Sequence, residues 1–157
     1  MKALMFTLMF IFGSLGAIAQ EVKETSGNSV VAEIEKVAEN VKDGIASYYH
    51  DKFVGRQTAT GEIFDNNRFT AASNNFKLGS YVKVTNLSNG EVIYVRINDR
   101  MAKSNTRVID LTSMSAKKLQ FHKKGITKVK VEIVPASEAK PAILAQRKEA
   151  GLPEQKL

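Results

Sequence analysis

The chain contains no cysteine, and among its 157 residues it has only two histidines and three prolines. Without cysteine there can be no disulfide scaffold, thiol nucleophile, zinc–thiolate site or lipid-modified N-terminal cysteine, so we do not expect a lipoprotein. The two histidines, His50 and His122, are too few for a three-histidine metal site. We therefore expect no metal and no cofactor. The length suits one compact domain with short extensions.

Long apolar runs are also scarce. The one at residues 3–12 is followed by small residues and by the sequence AIA at residues 17–19. This is the pattern of a cleaved secretory signal peptide over residues 1–19. The alternative, a membrane anchor, needs about 20 apolar residues. We expect export to the periplasm, with no stable membrane insertion after the signal is removed.

The charge is unbalanced, with 23 Lys and Arg against 16 Asp and Glu, a net charge of +7. A basic chain raises the question of nucleic acid, but an exported protein meets anionic polymers of the cell envelope instead. We therefore expect no nucleic-acid partner. The positive charge could also serve solubility alone. The net charge does not distinguish solubility from binding to an anionic polymer.

The hydropathy pattern divides the exported chain into three parts. Residues 20–43 form a polar leader in which helical spacing predicts an amphipathic helix over 29–42, to pack on the domain or bind a partner. Residues 44–134 hold short alternating segments, an Asn-Gly hairpin signal and one short helix at 112–119, as in a small β-barrel. Residues 135–157 show no sustained apolar face and are predicted to be a flexible tail, with a helix over 143–150 as the alternative.

Two carboxylates stand out by their context. Asp99 follows a buried-strand pattern, where partial desolvation would let it donate a proton, and Glu62 ends a glycine-containing loop that could reach across a groove. Structural interpretations are also open, since structural ion pairs are common: Asp99 could pair with Arg96 or Arg100, and Glu62 could cap a turn. The nearby aromatic residues could face a sugar or fill the barrel core.

Five motifs resemble, in the same order, those of the rare lipoprotein A (RlpA) family. They are GIASYY at 44–49, FVGRQTATGE at 53–62, FTAA at 69–72, VRINDR at 95–100 and RVIDLT at 107–112. The resemblance implies the six-stranded double-psi β-barrel that expansins also use. Together with the short helix and the preceding N-terminal helix predicted from the residues, this gives a mainly β fold.

The resemblance also implies an activity. Members of the family are septal lytic transglycosylases that cleave peptidoglycan glycan strands lacking stem peptides and leave 1,6-anhydromuramic ends. Carried over by motif, Asp99 is the acid/base and Glu62 is the second catalytic carboxylate. The residues expected to bind the substrate are Tyr48, Tyr49, Phe64, Ser73 and Arg100.

The chain departs from the family pattern at two places. The family's histidine after Thr-Ala-Ala is Ser73, and its Gly-Pro after Asp-Arg is replaced by Met101 and Ala102. These departures favour an alternative, a non-catalytic, expansin-like module that binds peptidoglycan or loosens the wall, whereas Asp99 and Glu62 together favour the enzyme. A third alternative is an interaction protein acting through residues 29–42. Glycan strands are the expected partner, with cell-division or envelope proteins as further candidates.

Overall fold

The computed structural model describes residues 30–37 and 40–153. The predicted signal peptide, residues 1–19, lies outside them. Residues 30–37 form helix α1 in a compact unit separate from the one that begins at Glu39, and the side chains of Val30, Ile34 and Val37 are more than half exposed. Within the described ranges, no helix has the length and apolar character needed to cross a membrane.

Six strands close into a barrel in the order β1-β5-β2-β4-β3-β6. Two of the neighbouring pairs, β1 with β5 and β2 with β4, are parallel, and the other four are antiparallel. The predicted six-stranded, mainly β barrel is therefore confirmed. The strands are β1 Val41–Tyr48, β2 Thr70–Ala72, β3 Tyr81–Asn86, β4 Val92–Asp99, β5 Ile109–Leu111 and β6 Thr127–Val134.

The barrel core follows from the period-two pattern of the long strands. In β3 and β4 alternate residues are fully buried, namely Val82 and Val84 in β3 and Ile93, Val95 and Ile97 in β4. Each such side chain contributes roughly 1.5–3 kcal/mol when it is fully buried. The residues between them, such as Lys83 and Arg96, are partly exposed, and the polar residues Asn98 and Asp99 follow at the end of β4, where the alternation breaks.

The predicted helix over 29–42 is wrong at its C-terminal end. Val41 and Lys42 already belong to β1, where they pair with Glu132 and Val131 of β6. Val41 satisfied the helical spacing of the leader, but it equally suits a β-strand, and the hydrogen-bonded ladder with β6 decides between the two. The barrel thus starts at residue 41, before the predicted residue 44.

Gly44 marks a close approach between β1 and the chain entering β5. A Cβ atom at this position would lie 2.9 Å from the Cβ of Val108, closer than side chains normally come. The backbone of Val108 also donates to the carbonyl of Ile45 at 3.0 Å. Glycine therefore lets β1 and β5 approach closely enough to pair.

Two short helices flank the strands. A 3₁₀ turn spans Asp51–Phe53 after β1, and helix α2 spans Ser113–Lys118 after β5. The hydroxyl of Thr112 accepts a hydrogen bond from the backbone N–H of Ser115 and caps α2.

The prediction of a flexible tail over 135–157 is wrong for its longest part, because Ala136–Glu149 form helix α3. This helix packs against β3 and β4 and buries Ala139 and Ile143. The buried face is short and includes polar residues, so the sequence shows little periodicity there.

Helix α3 also completes the edge of β4. Strand β2 pairs with β4 only from Arg96 onward, which leaves the peptide groups of Tyr94 without a strand partner on that side. The side-chain amide of Gln146 takes that place, accepting from the N–H of Tyr94 at 2.7 Å and donating to its carbonyl at 2.9 Å. The hydrogen-bonding groups of Tyr94 are thus satisfied without a strand.

Candidate active site

The loop between β1 and β2 folds back on itself and positions the first site residues. Its two sides are joined by backbone hydrogen bonds from Gly55 to the carbonyl of Phe64 and from Thr58 to the carbonyl of Glu62, at 3.0 and 2.8 Å. At the tip, Gly61 has a φ of +83°, a conformation that favours glycine, and its N–H donates to Thr58. Ala59 and Glu62 are thereby carried to the C-terminal end of β4.

Asp99 is half-buried at the end of β4, and three donors hold its carboxylate. Oδ2 accepts from the hydroxyl of Tyr49 at 2.7 Å, and Oδ1 accepts from the backbone N–H groups of Ala59 and Arg100, each at 2.8 Å. The expected structural alternative, an ion pair with Arg96 or Arg100, does not occur, because Arg100 contributes only its backbone N–H. The carboxyl group is therefore held in one orientation at the surface of the barrel and forms no salt bridge with either arginine.

Tyr49 supplies the side-chain donor to Asp99 and is itself held by aromatic contacts. Its ring lies 4.6 Å from the ring of Phe64 and 5.8 Å from that of Phe53, between centroids. Burial, the hydrogen bond to Asp99 and the negative charges of Asp99 and Asp110 raise the pKa of Tyr49 far above its ordinary value. The phenol is thus a permanent donor and not a proton source at neutral pH.

Glu62 forms an ion-paired cluster beside Asp99. Nη2 of Arg96 lies 2.7 and 2.6 Å from the two carboxylate oxygens, and Nη1 of Arg68 lies 3.4 Å from Oε2. Burial opposes ionisation, but the hydrogen bond and charge of Arg96, with hydrogen bonds from Thr60 and Asn98, hold the pKa of Glu62 below its ordinary value. Glu62 is therefore an anion at neutral pH and not a general acid.

Tyr48 and Phe64 do not occupy the positions predicted for them. Tyr48 follows the strand alternation away from Tyr49, stacks on His122 at 4.5 Å between ring centroids and donates its hydroxyl to the carbonyl of that residue. Phe64 is 5% exposed and supports the ring of Tyr49. Of the three aromatic residues predicted to bind substrate, only Tyr49 meets Asp99 directly.

Ser73 was predicted to contact the substrate, but its side chain is fully buried. Its hydroxyl donates to the carbonyl of Val108 at 2.8 Å and accepts from the N–H of Asn75 at 3.1 Å, so both hydrogen-bonding functions are used inside the protein. Arg100 is likewise engaged, since Nη1 donates to the carbonyls of Ser73 and Phe76. Both residues shape the loop after β2.

Asp110 was not among the carboxylates that the sequence singled out, yet the structure buries it. Asp110 is 8% exposed and accepts hydrogen bonds from Ser47, Asn105 and Arg107. In the sequence, the burial of Asp110 is indicated by its position between Ile109 and Leu111, two apolar residues of a short strand pattern. Over the residues that the structure describes, no cluster of three or more acidic or histidine side chains could hold a metal ion.

Comparison with known sequences gives one family. The family described as "Lytic transglycolase" matches residues 41–131. The chain is 46% identical over 92 residues to "Endolytic peptidoglycan transglycosylase RlpA" of Haemophilus influenzae, covering 59% of this chain and 32% of that protein. It is 45% identical over 105 residues to the protein of the same name from Neisseria meningitidis serogroup B, covering 66% and 44%. The chain thus spans less than half the length of either relative.

Among solved structures, this chain is similar to the "Streptomyces papain inhibitor (SPI)". The aligned part covers 60% of this chain and 94% of that chain. It has 26% sequence identity and a TM-score of 0.48.

Proposed function

Because this chain belongs to the RlpA-like lytic transglycolase family of double-psi β-barrels, we propose that it cleaves peptidoglycan glycan strands by intramolecular transglycosylation. The bond broken is the one after N-acetylmuramic acid, and the product ends in 1,6-anhydromuramic acid. Strands stripped of stem peptides are the proposed substrate, Asp99 is the acid/base, and Glu62 is the second carboxylate of the site.

The observation that carries this proposal is the environment of Asp99. Its carboxyl group is half-buried at the edge of the barrel, held by three donors and unpaired with any cation among the described residues. Such a group can approach a glycosidic oxygen and remains available for proton transfer. In contrast, Glu62 is held as an anion by its ion pair with Arg96 at 2.6 Å, so it is not the proton donor.

One carboxyl group is sufficient for this chemistry. The protonated Asp99 gives its proton to the glycosidic oxygen as the bond from that oxygen to C1 of the muramoyl residue breaks. The C6 hydroxyl of the same residue then attacks C1 and loses its proton to the Asp99 carboxylate, which restores the acid. No water is consumed, in contrast to hydrolases that use two carboxylates on opposite faces of the sugar.

Glu62 supports the reaction as a fixed negative charge. An oxocarbenium-like centre develops positive charge at C1, and an anion beside the acid/base stabilises it. Arg96 and Arg68 hold that anion in place, at 2.6 and 3.4 Å. Tyr49 keeps the carboxyl group of Asp99 oriented through both proton transfers.

We further propose that the protein acts outside the cytoplasm, in the periplasm, after removal of residues 1–19. The apolar run and the AIA sequence at 17–19 support this location, and peptidoglycan is an extracytoplasmic polymer. Cell-division or envelope proteins remain candidate partners.

The test is product analysis by mass spectrometry after incubation with intact and with amidase-stripped peptidoglycan. We expect soluble fragments with 1,6-anhydromuramic ends from the stripped material, and none with Asp99→Asn. Asp43→Asn removes an exposed carboxylate of β1 and is the matched control, expected to cleave like the wild type. Hydrolytic reducing ends in place of anhydro ends would contradict the proposed reaction.

The alternative, a non-catalytic module that binds peptidoglycan, is favoured by the burial of Ser73 where the family has histidine. It predicts that the wild type and Asp99→Asn pull down stripped glycan equally and that neither releases fragments. That outcome would replace the enzymatic proposal with a binding function.

A further inference from the structure

A second charged group lies on the same face of the barrel as Asp99. Nε and Nη2 of Arg107 donate to Oδ1 and Oδ2 of Asp110 at 2.6 and 2.8 Å, a bidentate ion pair. The Ser47 hydroxyl donates to the same carboxylate at 2.8 Å, and the Asn105 amide does so at 3.4 Å. Asp110 is thus fully occupied by protein donors, and its role is to fix the guanidinium of Arg107.

The strand register sets the distance between this pair and Asp99. Ala72 of β2 is opposite Asp99 of β4 on one side and opposite Asp110 of β5 on the other, with a register shift at Ala72. Residues opposite one another on neighbouring strands share a face, and strands lie about 4.8 Å apart. The two acidic residues are therefore separated by about 10 Å, on either side of the buried Ala72.

Arg107 keeps one edge of its guanidinium available. Asp110 uses two of the five N–H groups of an arginine, and no side chain of the described residues accepts from the other three. The side chain is 38% exposed, whereas that of Asp110 is 12% exposed. The unused edge is thus the one that solvent or a ligand can reach.

The surroundings favour an anionic ligand. The guanidinium of Arg100 donates to two backbone carbonyls and to no carboxylate, so its charge is not cancelled by an acidic partner in the described part of the chain. Lys103, on the same connection between β4 and β5, is exposed. A planar guanidinium that is already held in position suits a carboxylate better than a neutral amide, because it can form two parallel charge-assisted bonds.

We propose that Arg107 is a specificity residue that binds the lactyl carboxylate of a muramoyl residue one sugar away from the bond that Asp99 cleaves. This inference rests on the proposed function. The lactyl group carries a free carboxylate only where the stem peptide has been removed, because in intact peptidoglycan it is an amide. Arg107 would thereby select stripped strands by charge, and Asp110 would be a positioning residue.

The substrate itself offers a test that leaves the protein unchanged. Stripped strands are converted to the lactyl amide with ammonia and a carbodiimide, and kcat/KM of the purified protein is compared on both forms. We expect amidation to lower kcat/KM about ten- to hundredfold, mainly through KM, as for loss of a hydrogen bond to a charged group. Equal values on both forms would overturn the inference and leave the proposed function intact.

Substitutions of Arg107 test the same inference by changing the protein instead of the substrate. Arg107→Gln is expected to lower kcat/KM on stripped strands by the same factor and to abolish the effect of amidation. Arg107→Lys keeps a cation for Asp110 in case the glutamine variant fails to fold, and it should retain only part of the preference. Lys128→Gln removes one exposed positive charge from β6, outside the β4–β5 connection, and should keep the wild-type preference. A full preference in Arg107→Gln or Arg107→Lys would contradict the assignment.

A binding measurement separates this inference from the proposed activity. Asp99→Asn protein is titrated with a tetrasaccharide carrying free or amidated lactyl groups. Tighter binding of the free acid, lost in the Asp99→Asn/Arg107→Gln double variant, supports the carboxylate site even if no cleavage is ever detected. Equal binding of both forms contradicts the site, whatever the activity assay shows.

Discussion

The hydroxyl of Tyr49 donates to Oδ2 of Asp99 across 2.7 Å, although two strands of the barrel separate the strands that carry these residues. Tyr49 directly follows β1 and Asp99 ends β4, with β5 and β2 between them in the barrel order. The reach of a tyrosine ring is what connects them. Because the phenol keeps its proton, this bond is present in both protonation states of the carboxyl group.

Replacing Tyr49 by phenylalanine should lower kcat on stripped glycan strands about ten- to hundredfold with little change in KM. The ring contacts with Phe64 and Phe53 remain, and only the hydrogen bond that orients Asp99 is lost, a bond to a charged group worth about 1.5–3 kcal/mol. Steady-state kinetics measures the split. Tyr94→Phe, which removes a phenol bonded to Glu138 at 3.0 Å, is the matched control. An unchanged kcat would contradict the orienting role.

Replacing Glu62 by glutamine should cost about 1–3 kcal/mol of unfolding free energy at pH 7, because it removes the partner of Arg96. The folded-state pKa of Glu62 is lowered, so its contribution is complete above the unfolded-state value and disappears as the pH falls through the folded-state value. The gap between wild type and variant should therefore close in acid. Urea unfolding from pH 7 to pH 3 measures it.

Glu149→Gln is the control for this series. Glu149 pairs with Lys118 at 2.5 Å, but its side chain is 65% exposed. Such surface pairs contribute about 0–1 kcal/mol. A loss as large as that of Glu62→Gln, or a pH-independent loss at position 62, would show that the Arg96 cluster is not what stabilises this end of β4.

The barrel could be predicted largely from local patterns, and the exceptions have physical reasons. The alternation in β3 and β4 and the Asn89-Gly90 turn identify a hairpin that the structure contains. Strand β2 was missed because Thr70–Ala72 is too short to show a period. Helix α3 was considered only over 143–150, because its contacts with β4 depend on the gap left by β2, which no local pattern encodes.

Replacing Gly44 by alanine should destabilise the fold by about 1–3 kcal/mol, the usual cost of overpacking. The new methyl group would lie 2.9 Å from the Cβ of Val108. Removing the γ-methyl groups of that residue gives the neighbouring chain more freedom to shift, so Gly44→Ala with Val108→Ala should cost less than the sum of the two single changes. Urea unfolding of the four proteins tests this. Strict additivity would contradict the proposed contact.

Replacing Gln146 by leucine should cost about 1–3 kcal/mol, because the N–H and carbonyl of Tyr94 lose their partners on that side. Lys148→Leu adds the same side chain at an exposed position of the same helix and is the control. Amide hydrogen exchange at Tyr94 gives a local readout. We expect faster exchange at that amide in Gln146→Leu, and an unchanged rate would show that the amide bridge is dispensable.

The candidate site was only partly accessible to sequence reasoning. The resemblance to the RlpA family identified Asp99 and Glu62 as site residues. The structure brings the loop that holds Glu62 to the strand that ends at Asp99. Tyr48, Ser73 and Arg100 were assigned from the same motifs, but strand alternation turns Tyr48 toward His122, and internal hydrogen bonds occupy the other two. Such directions depend on three-dimensional pairing, which is why the Asp110 cluster was missed as well.

The closure of the barrel has a consequence for how the protein folds. β1, the first strand along the chain, lies between β5 and β6, the last two. Nearly the whole domain must therefore be available before β1 gains either neighbour, and such long-range pairing makes folding slow. Tyr49 reaches Asp99 only at that step. A partly folded intermediate would lack that hydrogen bond, so the proposed glycan cleavage should reach its full rate during refolding only after the final closing of the barrel.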